Sequence, residues 1–390
     1  MKIYLIGKQG FIAKNIYKLL KRKKITCILC SHENIEGLKE VSNDDIIINT
    51  AGVNNAETLE EYEDGNLIFL QKIVKLLEDK TPYFLHLSSY MVMGFQNKDK
   101  FSLSDKNRYF VDTKLAGEAF LEKNVKENLC ILRPSNIFGY DCRPYYNNII
   151  STLVYEKLLR SRKITRLNRN SYRNFLTVEA LCLEILECVK SKRKGTWNVL
   201  SNNTVSLETV VGNIWETVIP SYFSINDGNE EIPNVGENSI VIQEDFFSVI
   251  KKLERDMKIY LKILDSLEFE KKCNLSQERG DMVEISDMNS KRLYKITINP
   301  GQFRGNHFHY HQIEEFFTNR GSVVYLFAVS EHIDIMHVEH AKENDLIRVF
   351  PNIVHTLVND SLDGVSELIV LSTQKYIQGI IPDTCYINII

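Results

Sequence analysis

KIYLIGKQGFIAKNIYKLLKRK, residues 2–23, changes period at its glycines. Ahead of them, KIYLIG is an apolar run of strand length, and behind them IAKNIYKLLKRK repeats apolar residues at helical spacing. Gly7 and Gly10 stand at the join, where a tight turn leaves the first amides of a helix free to hold a pyrophosphate. Outward from this unit, the apolar runs TCILC, DIIINTAG, YFLHLSS and LCILRPSNIFG alternate with helical stretches such as NLIFLQKIVKLLED. Such alternation predicts an α/β fold with a doubly wound parallel sheet from residue 1 to about 200. The polar stretch from Pro220 to Asn238 reads as a loop, and residues 245–265 as an amphipathic helix. Beyond about residue 268, short runs separated by NPGQFRGN, FPN and NDSLDG predict an all-β barrel. The boundary is placed at Leu267, giving domains 1–267 and 268–390.

Composition narrows the function. The chain has 390 residues, too many for one ordinary core, and its 48 basic and 51 acidic residues leave a formal charge of -3. Without a basic field a nucleic-acid partner is not expected. The longest apolar runs fall short of a membrane span, and the N-terminal residues do not read as a signal peptide, so a cytoplasmic, soluble protein is expected. Eight cysteines are scattered. The tight pair, Cys27 and Cys30, lies in a strand-like run where residues three apart face opposite sides, and both read as reduced core residues.

RGNHFHYHQIEEFFTNRG, residues 304–321, sets histidines at every second position. In one strand His307, His309 and His311 would share a face, and a neighbouring strand carrying Glu314 would bring a carboxylate beside them. With His355 from PNIVHTLVND, this is a first-row metal set: His307, His309, Glu314 and His355 as ligands, His311 as a group for proton transfer. Imidazole and carboxylate suit zinc, nickel, manganese or iron, with zinc the first expectation among divalent metals. The spacing resembles the two-part signature of the cupin family, small barrels that often hold a metal, although the usual glycine before His355 is missing and Pro351 stands one residue nearer than in that signature.

The first domain resembles the extended short-chain dehydrogenase/reductase family, a Rossmann-like fold. Gly7 to Ala13, Ala51-Gly52-Val53-Asn54, Ser88-Ser89, Lys114 opening KLAGE, and Arg133 to Gly139 carry the resemblance in order and spacing. It implies a nicotinamide cofactor contacted by Gly7, Gly10, Phe11, Ile12, His32, Ala51, Gly52, Lys114 and Pro134, and a nucleotide-sugar substrate. Ser31 and His32 stand where an acidic residue would grip the ribose of NAD, so NADP(H) is expected. Ser89 and Lys114 occupy catalytic positions, and Asn147 and Arg173 fall where the family binds its substrate. One departure matters for chemistry: a Tyr is expected four residues before the Lys, and this chain has Phe110, which has no proton to give. Tyr109 lies one residue off, about 100° around the helix.

The two parts in series resemble the bifunctional capsular-polysaccharide reductase/epimerase family on the route to UDP-N-acetyl-L-fucosamine. That resemblance implies C3 epimerisation of a 4-keto-6-deoxy UDP-HexNAc in the barrel, NADPH-dependent C4 reduction in the first domain, and a homodimer. Two alternatives stand beside it: an epimerase with a silent reductase domain, and a non-catalytic protein that binds sugar nucleotide.

Overall fold

A computed structural model describes residues 1–32, 34–96, 104–125, 127–139, 141–142, 146, 148–159, 166–168, 171–215, 224–226, 238–271, 275–277, 280–282, 292–361, 364–373 and 384–390. They form two compact units, Met1–Tyr17 with Leu29–Met257, and Lys18–Ile28 with Lys258–Ile390. Among the described residues no helix is long and apolar enough to cross a membrane.

The first unit is organised around a seven-stranded sheet in the order Ser239–Ile242, Gly195–Ser201, Leu129–Pro134, Tyr83–Leu87, Ile46–Asn49, Ile3–Ile6, Cys27–Cys30. Ile3 pairs in parallel with Ile46, and Ile46 with Tyr83, so apolar runs from distant parts of the chain stack into one buried layer. Helix Phe11–Arg22 buries Ala13, Ile16, Tyr17 and Leu20, the helical spacing read from the sequence. Each such apolar side chain withdrawn from water contributes about 1.5–3 kcal/mol before conformational entropy is subtracted. Cys27 and Cys30 are buried and free, and burial pushes the Cys30 thiol up to about 12.

The expected sheet ended near residue 200, whereas the structure adds Ser239–Ile242 in parallel with Gly195–Ser201. Four residues arriving after a long polar stretch carry too little pattern to be recognised as a strand. Of the stretch read as a loop, Ser224–Asn226 is a short strand paired in parallel with Arg166–Asn168, and residues 220–223 and 227–237 lie outside the described residues. The amphipathic helix falls at Phe246–Asp265.

The second unit holds two five-stranded antiparallel sheets. One runs Leu267–Lys271, Asp345–Val349, Glu314–Arg320, Ser366–Ser372, Arg292–Ile298; the other runs His332–Lys342, Ser322–Val329, Ile353–Val358, Phe303–His309, Thr384–Tyr386. Their inner faces meet where Phe316 of the first sheet packs against Tyr325 and His355 of the second, with ring centroids 5.9 and 5.5 Å apart.

Candidate functional site

In the first unit the expected cofactor residues gather at the carboxyl ends of the strands, the usual ligand edge of such a sheet. Gly7 follows Ile3–Ile6 with φ +94°, and a Cβ there would stand 2.8 Å from Thr50 Oγ1 and 3.0 Å from the Ala51 amide. Only glycine fits that turn. Gly10 donates its N–H to the Gly7 carbonyl at 2.8 Å, which closes the turn directly before Phe11 and Ile12. Ala13 is buried, so its methyl group is accommodated against the sheet. Ser31 is tied by its amide and hydroxyl to Asn34 Oδ1, and the exposed His32 stacks on Phe69 with centroids 3.6 Å apart. Its partial burial, and Lys72 nearby, lower the pKa of His32.

Lys114 sits on helix Asp105–Asn124 and is buried, with Nζ 2.5 Å from where a Cβ on Gly52 would be. Three sequence features bring it there. Gly117 lets the helix approach the backbone of Asn66, whose carbonyl would be 2.8 Å from a Cβ at that position. Asn66 lies in a π-helical turn, Asp64–Ile68, and its side chain bonds both the amide and the carbonyl of Val53. Glu118 takes a forked ion pair from Arg133, joining KLAGE to RPSN. Ser89 caps the next turn by accepting the Met91 amide at 3.2 Å, and Pro134, at the end of Leu129–Pro134, accepts the Tyr90 amide at 2.9 Å.

Phe110 lies four residues before Lys114 on the same helix, its ring centroid 5.9 Å from Nζ and its edge against Tyr62. Tyr109 packs at the margin of that cluster. Burial pulls the Lys114 ammonium down to about 8, with Glu118 opposing part of the shift. Below pH 8 the folded protein therefore carries a buried charge it would be more stable without; between about 8 and the unfolded value near 10.5 the unfolded chain binds more protons, and stability rises with pH. Lys114→Met is expected to raise unfolding stability at pH 7 by about 1–3 kcal/mol, and that gain should disappear by about pH 10.5. Urea melts at the two pH values measure it; a gain equal at both would remove the buried charge as its cause.

Arg173 is exposed on strand Tyr172–Thr177, and Asn147 lies outside the described residues.

The second unit brings His307, His309, Glu314 and His355 together, their ligating atoms all within 4.8 Å of one another. Two expectations change. Glu314 does not come from a strand paired with Phe303–His309; it opens Glu314–Arg320 in the facing sheet, so the group lies between the two layers. His311 does not share the face of His307 and His309, because the strand ends at His309 and His311 sits exposed in the following bend.

Hydrogen bonding decides what the group is suited to hold. His355 Nδ1 lies 3.2 Å from the Ile353 carbonyl, which can only accept, so in the neutral ring Nε2 is a bare lone pair. That nitrogen is buried, makes no hydrogen bond, and stands 3.2 Å from Glu314 Oε2, also a lone-pair atom. Two acceptors face each other across a gap that a cation would fill. Glu314 is oriented from both sides, by His309 Nε2 at 3.1 Å and by Gln312 Nε2 at 2.9 Å, while Thr384 meets His309 Nδ1 at 3.1 Å. Burial alone would raise Glu314, but hydrogen bonds and charge from His309 and His355 in their protonated forms outweigh it and hold the carboxyl well below its usual range, the role a cation would take over when the rings are neutral. Burial, with His355 and His309 beside it, lowers His307 to about 4, leaving it neutral and able to donate a lone pair. Gln312 and Thr384 escaped the sequence reading as supports.

A parallel α/β sheet with a glycine turn at the carboxyl ends of its strands, followed by an antiparallel β unit holding three histidines and a glutamate, defines a two-part protein of the Rossmann-like α/β class with a C-terminal β unit. Residues 1–206 match the RmlD substrate binding domain, and the chain belongs to that family. Residues 275–385 match the polysaccharide biosynthesis C-terminal domain. Among solved structures, the chain is similar in fold to MoeE5 in complex with UDP-glucose and NAD, at 15% identity and TM-score 0.54 over 67% of this chain and 100% of that one. UDP-N-acetylglucosamine 4-epimerase from Bacillus cereus gives 15% identity and TM-score 0.53 over 66% and 96%. Capsular polysaccharide assembling protein CapF from Staphylococcus aureus spans 99% of both chains at 19% identity, with TM-score 0.46. No curated protein matches the chain in sequence.

Proposed function

We propose that the chain is a bifunctional nucleotide-sugar enzyme for surface-polysaccharide synthesis: residues 268–390 epimerise C3 of a 4-keto-6-deoxy UDP-HexNAc, and residues 1–267 reduce C4 with NADPH. The observation that carries this reading is the facing pair of lone-pair atoms, His355 Nε2 and Glu314 Oε2, completed by His307 and His309. Membership of the RmlD substrate binding domain family and the match of residues 275–385 to a polysaccharide biosynthesis domain support it.

A divalent cation, zinc first, held by His307, His309, Glu314 and His355 would supply Lewis acidity toward the substrate's keto oxygen. The 4-keto group acidifies the C3 proton, and His311, exposed in the bend after Phe303–His309, is assigned as a proton-transfer group that takes it from one face, with solvent returning a proton to the other. In the first unit Gly7, Gly10 and the amides of Phe11 and Ile12 would hold the pyrophosphate of NADPH, which would supply the hydride, and His32 would take the ribose end. Ala51, Gly52 and Pro134 shape the floor, Ser89 and Lys114 polarise the C4 carbonyl, and Asn147 and Arg173 hold the UDP-sugar. A cytoplasmic homodimer belongs to the same proposal.

Phe110 favours a second reading, an epimerase whose first unit binds nucleotide without turning over. One experiment separates them: incubation with a 4-keto-6-deoxy UDP-HexNAc in deuterated water, with and without NADPH. Deuterium at C3 together with NADPH oxidation supports the bifunctional enzyme, and deuterium alone the epimerase. Neither signal leaves a binding protein and sinks both enzymatic readings.

A further inference from the structure

Strand Phe303–His309 changes phase just before its histidines. Arg304 pairs with Leu357 and Gly305 with Thr356, yet His355 is faced by His307, so Asn306 is an extra residue in the ladder. It is a β-bulge, and without it Asn306 would stand opposite His355 and the histidines would turn to the other side of the sheet. Asn306 has φ +56° and Gly305 φ +109°; a Cβ on Gly305 would overlap the His355 carbonyl. Asparagine is among the few residues that take the left-handed region at small cost.

The side chain of Asn306 is as fully used as its backbone. Oδ1 accepts the Thr356 hydroxyl at 2.8 Å and the Ile389 amide at 3.3 Å, and Nδ2 donates to Asn388 Oδ1 at 3.0 Å. The Asn306 amide donates to Thr356 Oγ1 at 3.1 Å, and its carbonyl accepts the Ile387 amide at 2.8 Å. Residues 387–389 are thus fastened to the bulge that sets His307 beside His355, the two rings 4.5 Å apart.

Resting on the metal reading above, we infer that Asn306 is the positioning residue of the metal site, its left-handed bulge and its ties to Thr356 and the C-terminal residues fixing His307 in ligand geometry. The test is a Co²⁺ titration of the full chain followed by visible absorption, which reports coordination as well as affinity. Asn306→Ala is expected to weaken Co²⁺ binding by about tenfold or more and to change the band, as loss of a residue supporting a ligand does. Asn306→Asp keeps the acceptor and tolerates the backbone, and should recover most of the affinity. If Asn306→Ala fails to fold, Asn306→Gly, which keeps the left-handed backbone, must show the same weakening. An Ala or Gly variant with natural affinity and spectrum overturns the inference. A natural protein that takes up no Co²⁺ instead overturns the metal reading, and this inference with it.

Discussion

Phe110→Tyr is expected to raise the rate of NADPH oxidation with a 4-keto-6-deoxy UDP-HexNAc by about 10²–10⁴-fold, the usual worth of a positioned general acid. Helix Asp105–Asn124 is regular through this region, so position 110 shares a face with Lys114, and the ring already lies 5.9 Å from Nζ. A phenol there would meet an ammonium whose own pKa is pulled down to about 8 by burial, and the positive charge favours the phenolate. On the proposed reductase reading, Lys114 beneath Gly52, Ser89 at the next turn and the glycine turn at Gly7 are already in place, and the proton donor is the group Phe110 lacks. The added hydroxyl enters a small apolar cluster with Tyr62 and Val111, so a loss of about 1–2 kcal/mol in stability is the expected side effect. Steady-state rates of the natural protein, Phe110→Tyr and Tyr109→Phe decide the matter. Equal rates for the first two mean that another group delivers the proton or that the first unit turns nothing over; a collapse with Tyr109→Phe would identify Tyr109 as that group.

What the sequence revealed follows from how local each signal is. The glycine turn, the buried runs of the parallel sheet and the spacing of Phe110 from Lys114 are set within a few residues, and each could be read directly. The roles of Gly117 and Glu118 could not, because their partners, the Asn66 carbonyl and Arg133, lie 51 and 15 residues away. The histidine-rich segment shows both sides of this divide. Alternation groups His307 with His309 correctly, since both follow the bulge at Asn306, but extends one step too far to His311, where the strand has ended. A period-2 pattern cannot mark its own last residue. Nor can it say that Glu314, five residues beyond His309, has crossed to the facing sheet, because a turn and a change of layer look alike in sequence.

That crossing makes the site a tie between layers, and its largest consequence is for stability. Saturation with a divalent cation at about a thousand times its dissociation constant is expected to stabilise the natural protein by about 4 kcal/mol, because the folded state alone presents the four ligands together. Glu314→Gln should abolish most of that gain, lowering affinity by at least about a hundredfold. The amide keeps the shape and an oxygen but removes the charge that attracts the cation, and its NH₂ group can place a donor against His355 Nε2. In metal-free solution the difference should narrow to what His309 and Gln312 contribute by holding the carboxylate, since the cation's share is gone. Thermal melts of both proteins after chelator treatment, and again with zinc added, measure the two effects at once. A natural protein whose melting is indifferent to zinc would remove the metal reading; a Glu314→Gln protein stabilised as strongly as the natural one would leave the three histidines sufficient as ligands.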